Sequence, residues 1–228
     1  MNRLLLMLRA QSGRKAGLAA ALELAVSQIR DSAPDAQLRA ATSIVDGPIT
    51  DGPRGARSGR DFFDAAIDLP WVDGGLLQLN LLSDIRARVT DFVDPCLSAA
   101  IVGVEHVIIP GDDDKPALLI FPIRRVPKMS EAEFRSYWID HHAQIPRRRG
   151  QPAGYRQLHA DSRQSKVAAQ AAGLQQKDFD GAAIVPTTDP NAILEYATRS
   201  DSQIESVADE ANFIDHPRSI FGIYSYLR

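Results

Sequence analysis

The chemistry this chain can offer sits in five histidines, five tyrosines and two arginine-bearing loops. Histidine titrates near neutral pH, so His106, His141, His142, His159 or His216 could take a proton from a phenol, an enol or a carbon acid without a cofactor. His141 and His142 are neighbours and cannot both point the same way, so one is expected to reach an internal cavity and the other its rim. A phenol can hydrogen-bond a developing enolate or phenolate oxygen, a role open to Tyr137 or Tyr155. With Trp138, Phe213 and Tyr224 these residues would line an aromatic cavity suited to a flat substrate, although aromatic rings also fill ordinary cores. Arg54, Arg57 and Arg60 lie in GPITDGPRGARSGR, and Arg147, Arg148 and Arg149 lie in PRRRGQP. Such loops are solvated by default; otherwise an arginine, Arg147 first, would clamp a substrate carboxylate.

Other chemistries lack their residues. Cys96 is the only cysteine, which excludes an internal disulfide and a cysteine metal site. Glu105 and His106 would face opposite sides of a strand, and Asp140, His141 and His142 lack the i, i+4 spacing of paired helical ligands. No G-x-G-x-x-G, P-loop or G-x-S-x-G occurs, and a lone histidine is no haem signature, so no metal and no cofactor is expected. With 26 Lys plus Arg against 29 Asp plus Glu, no global field attracts nucleic acid. The apolar run at 4–8 is followed at once by Arg9, too short for a signal core or a membrane span, and the protein is read as cytoplasmic with no membrane partner.

The elements that must hold these groups occur twice. Pro110, Gly111, three aspartates and Pro116 separate two apolar runs near the midpoint, marking a first domain at 1–111 and a second at 115–228. FDAAI at 63–67 returns as FDGAAI at 179–184, with Ala65 and Ala182 117 apart. SAAIVGV resembles RSIFGI, with Ile101 and Ile220 119 apart, and the opening strands stand 114 apart. Periodicity places strands at 3–10, 37–45, 62–69 and 99–109, with helices at 17–29 and 76–92. The second half has strands at 117–126, 154–159, 181–185 and 219–226, one helix opened by the capping box Ser130-x-x-Glu133 and another from Pro190. Each order is βαββαβ, the ferredoxin-like arrangement, which leaves one sheet face apolar. The fold class is therefore α+β, with tandem ferredoxin-like repeats packing their sheets face to face into a barrel within one chain. The Ala/Gln-rich stretch 162–177 is read as a lid over the second half.

The segment 126–149, VPKMSEAEFRSYWIDHHAQIPRRR, is the most specific. Phe134, Trp138, His141 and Ile145 share one face at 100° per residue, which turns His141 inward. Glu133, Phe134, Tyr137, Trp138, His142 and Ala143 nevertheless resemble the Tyr-Trp-x-x-x-His-Ala signature of the EthD-like family, in the dimeric α+β barrel superfamily. DEANFIDHPRS, 209–219, resembles that family's closing Asp-Glu-x-x-Phe-x-Asp stretch. Gln144 stands where the family often has proline, and the first half lacks the motif. The resemblance marks His142, and His142 is taken as the inward residue because the last turn of a helix often departs from ideal angles.

The superfamily includes cofactor-free cyclases, decarboxylases, dehydratases and isomerases, accessory proteins of degradation pathways, and some haem-linked members, so fold alone does not choose the reaction. The expectation is a cofactor-independent lyase, isomerase or cyclase acting on an aromatic or polyketide-like small molecule. His142, His141 and Tyr137 are its candidate catalytic residues. Trp138, Tyr155, His159, Phe213, His216, Tyr224 and Arg147 are its candidate substrate-binding residues. The rival is a non-catalytic accessory or ligand-binding protein. A homodimer is compatible with either.

Overall fold

Six of the seven residues of the first strand are buried, including Arg3 and every residue from Leu4 to Leu8. A strand apolar on both faces needs a layer on each side. Here the inner layer is a barrel lumen and the outer layer is helical.

The computed structural model describes residues 1–33, 36–71, 79–112, 114–149, 154–198 and 200–227. The first half runs β1 (Asn2–Leu8), α1 (Lys15–Ser32), β2 (Arg39–Ser43), α2 (Gly52–Gly55), β3 (Ala65–Trp71), α3 (Leu79–Val89) and β4 (Ala99–Ile109). The second runs β5 (Ala117–Ile123), α4 (Glu131–Ser136), a π-helical turn (Tyr137–His142), α5 (Gln144–Arg149), β6 (Tyr155–Ala160), α6 (Ser162–Ala171), β7 (Gly181–Thr187), α7 (Pro190–Thr198), α8 (Ser200–Glu210), a 3-10 turn (His216–Arg218) and β8 (Gly222–Tyr226). The expected linker centre at Asp113 and the expected helix start at 76–78 lie outside the described residues.

All eight strands close one antiparallel barrel in the order β1-β3-β2-β8-β5-β7-β6-β4. Each half contributes the ferredoxin-like order, β4-β1-β3-β2 and β8-β5-β7-β6, so the expected tandem βαββαβ barrel is present. The halves join edge to edge through β2–β8 and β4–β6, which satisfies the outer strands' backbone groups. Leu6 faces Ile67 across β1–β3 and Ile120 faces Ile184 across β5–β7, so the offsets of 114 and 117 are register equivalences. The third offset is corrected. Leu6 faces Ala100 and Ile120 faces Gly222, 122 apart, so Ile101 and Ile220 do not occupy equivalent positions.

Alternation sends Leu5, Met7, Ala66, Ile101, Leu118, Ile120, Ala182, Ile184 and Tyr224 into the lumen. Leu4, Leu6 and Leu8 face outward onto Leu18, Leu22 and Ile29 of α1 and Leu82 and Ile85 of α3. One end of the lumen is ionic. Arg3 donates to Asp68 at 2.6 Å and pairs with Glu105, while Arg39 and the Tyr226 hydroxyl reach Asp68 at 2.9 and 2.7 Å.

The two long β2–β3 and β6–β7 connections are exchanged between the halves. α2 packs on α7 and α8, and α6 packs on β4 and α3. Ala168, Ala169 and Ala172 are buried in the first half's outer core, and the Ser165 hydroxyl accepts the Val102 N–H at 2.9 Å. The 162–177 stretch is therefore no lid over the second half. Its small residues let a helix lie close against the other half.

Candidate functional site

The capping box forms as its residues require: the Ser130 hydroxyl accepts the Glu133 N–H at 3.3 Å and the Glu133 carboxylate takes the Ser130 N–H at 2.7 Å. It starts α4 so that Phe134 and Trp138 face inward, both fully buried. The Trp138 ring lies against Gly181, where a Cβ would fall 2.7 Å from its Cζ3, so only glycine accommodates this approach. The helix then widens. The Ala143 N–H bonds to the Trp138 carbonyl, an i→i+5 contact, and the same carbonyl accepts Gln157 Nε2 at 2.9 Å. One extra residue in the turn puts His142 on the face that ideal α-geometry assigns to His141. His142 is accordingly buried, while the His141 side chain is 66% exposed.

Asp209, in the last turn of α8, completes the arrangement. Its Oδ2 meets His142 Nδ1 at 2.7 Å and its Oδ1 accepts the Tyr137 hydroxyl at 2.7 Å, with His141 Nε2 at 3.6 Å. Burial works against the Asp209 charge, but the bonds from His142 and Tyr137 outweigh it and hold its carboxyl below the usual range. Burial and the neighbouring Asp209 push the Tyr137 phenol up. A carboxylate on Nδ1 selects the tautomer that donates Nδ1–H and leaves Nε2 as the basic atom.

Glu210, the next residue, holds a second buried group. Arg54 Nε donates to its Oε2 at 3.0 Å, Arg54 Nη2 reaches Oε1, and His216 Nε2 meets Oε2 at 3.0 Å. Burial opposes its charge, yet Arg54 and His216 lower its pKa from 4.5 to about 2. A depressed carboxyl contributes stability that is present above its unfolded value and is lost as pH falls through the folded one. Thermal stability is therefore expected to fall between about pH 4.5 and 2, and more steeply than in Glu210→Gln. Equal slopes for the two proteins would reject this contribution.

The other candidate residues divide. Phe213 belongs to the site: its ring centroid lies 5.0 Å from His142 and 5.2 Å from Tyr137. Tyr155 is buried, and its oxygen accepts Trp138 Nε1 at 3.0 Å and Gln157 Nε2 at 3.3 Å. His159 stacks on Trp138 at 4.9 Å and contacts Gln157 Oε1 at 3.1 Å, and burial lowers its pKa to about 3. It is thus neutral packing beneath the indole at ordinary pH. His216 is tied to Glu210 rather than facing a cavity wall with His142. Tyr224 is a correction. Strand alternation on β8 sends Ile223 to the outer layer and Tyr224 into the lumen, on the other side of the sheet from His142. Arg147 is exposed and its Nε reaches the Ile108 carbonyl at 3.4 Å. The Arg149 side chain lies outside the described residues.

Residue types and spacing alone do not single out Asp209, Glu210 or Gln157. The Asp-Glu pair lay within the stretch resembling the family's closing motif, which was the available signal; nothing local marked Gln157. Among the described residues no group of three His, Cys, Asp or Glu side chains could hold a metal ion, and no helix is long and apolar enough to cross a membrane. An open groove of about 590 Å³ passes Lys128, Met129, Tyr137, Asp140 and His141 at the rim.

Residues 126–217 match the EthD domain family, which spans the capping box, the π-helical turn and the Asp209-Glu210 pair. No curated protein matches the chain in sequence. Among solved structures, a chlorite dismutase from Candidatus Nitrospira defluvii is similar with a TM-score of 0.51 at 9% identity, covering 98% of this chain and 90% of that one. A provisionally assigned chlorite dismutase reaches 0.57 at 9% identity, covering 100% and 94%. A provisionally assigned monooxygenase from Fusobacterium nucleatum subsp. nucleatum reaches 0.57 at 13% identity, covering 100% and 92%. At such identities the likeness is one of fold. Residues 126–217 thus match the EthD domain family, and they sit on an eight-stranded antiparallel barrel that one chain closes by itself.

Proposed function

We propose that this protein is a cofactor-independent acid–base catalyst, a lyase, isomerase or cyclase acting on an aromatic or polyketide-like small molecule. The observation that carries the reading is the Asp209–His142 contact of 2.7 Å in a buried aromatic setting, which leaves Nε2 basic and without a described partner. Tyr137 anchors the other oxygen of Asp209 and so fixes the carboxylate. Tyr155 accepts two hydrogen bonds and, among the described residues, gives its own proton to none, which suits it to a developing enolate or phenolate oxygen. The halves 1–111 and 115–228 act as a structural copy and a chemically equipped copy.

His142 Nε2 is also the nitrogen that would hold a haem iron, with Asp209 on Nδ1 fixing the tautomer that leaves it free. Haem bound there would supply redox chemistry in place of proton transfer. Purified protein is expected to show no Soret band and to turn over a member of a phenol, aromatic-acid or polyketide panel with nothing added. A stoichiometric Soret band defeats the acid–base reading. Saturable binding without turnover across the panel favours a non-catalytic binding protein.

A further inference from the structure

We infer that Arg54, which the first half contributes, is a positioning residue for the second half's site: through Glu210 it fixes the end of α8, where the adjoining Asp209 holds His142. The inference rests on the reading of His142 given above, and it gives the first half a part in that site.

The loop that reads as a solvated run of glycine, proline and arginine is pinned to α7 and α8 at three points. Gly52 has φ of +77°, and a Cβ there would fall 2.6 Å from the Thr198 Cα, so the loop backbone lies directly on the end of α7. Arg57 Nη1 donates to the Val207 carbonyl at 3.1 Å. Arg54 places Nε and Nη2 on the two oxygens of Glu210, a two-point contact 156 residues away in sequence. Its guanidinium also lies 5.6 and 5.5 Å from the ring centroids of Phe121 and Phe221. Arg54 therefore ties α8 to the sheet beneath it.

The link to the proton-transfer pair is covalent and short. Asp209 and Glu210 are consecutive, and their four carboxylate oxygens hold Tyr137, His142, Arg54 and His216 between them. A shift of Glu210 must move Asp209, and a productive site tolerates displacements of only about 0.5 Å. Both Arg54 and Glu210 are buried, 8% and 3% exposed, so neither can exchange its partner for water without a rearrangement. A planar fork is what fixes orientation here; a lysine would supply the charge as a single point.

The test reads the His142 ring by proton NMR on the full chain, with the Nδ1–H resonance assigned by its absence in His142→Gln. Arg54→Lys keeps a charge beside Glu210. It is expected to weaken or abolish that resonance and to shift the ring-proton lines of His142. Arg57→Ala removes the loop's second pin without leaving a buried charge, so it folds even if Arg54→Lys does not, and it is expected to move the same signals by less. Thermal midpoints show that each variant is folded. Unchanged ring signals in the folded variants overturn the proposal whatever the turnover. Conversely, His142→Ala with full turnover rejects the catalytic reading and leaves the positioning result standing, because the readout is the ring and not the rate.

Discussion

Replacing His142 by alanine is expected to lower turnover of a responsive substrate by about a hundredfold or more, the usual size of a general acid–base contribution. The thermal midpoint should change little, because Asp209 keeps the Tyr137 hydroxyl and remains partly open to water. Asp209→Asn should lose most of the same factor, since an amide no longer dictates which ring nitrogen carries the proton. His141→Ala is the control: its ring is at the rim and its approach to Asp209 is long, 3.6 Å. If His141 carries the loss instead, the assignment moves by one residue. A loss confined to Tyr137→Phe or Tyr155→Phe would hand proton transfer to a phenol. Unaltered turnover in all of these variants would place the active site elsewhere.

Asp68→Ala should destabilise the fold by about 3–5 kcal/mol, the cost of removing one partner from a buried ion pair. Arg3 and Asp68 are each 1% exposed, and Asp68 accepts from Arg3, Arg39 and the Tyr226 hydroxyl. Burial opposes the Asp68 charge, while Arg3 and Arg39 more than offset it and depress its pKa. Alanine would leave two guanidinium groups and a phenol with one fewer acceptor in a lumen that water barely enters. Urea denaturation measures the effect. A change below about 1 kcal/mol would mean that Glu105 and solvent take over the pairing.

The order of elements was legible because its signals are local. β4 begins and ends where the apolar run predicts, α7 starts at Pro190, and the capping box opens α4 after Ser130. The duplicated register of β1–β3 and β5–β7 was legible too, since equal strands repeat equal patterns. The choice of His142 over His141 was legible from the family resemblance and not from helical projection. A 100° projection has no place for the residue that the π-helical turn inserts, and that turn is supported by Gln157, which belongs to a strand beyond the helix. The inward face of Tyr224 was missed because the register of β8 depends on its pairing with both β5 and β2. Asp209 meets His142 across 67 residues and Arg54 meets Glu210 across 156. Periodicity and caps are properties of neighbouring residues. Which distant carboxylate receives which cation is decided only when the barrel closes and the two halves exchange their connecting loops.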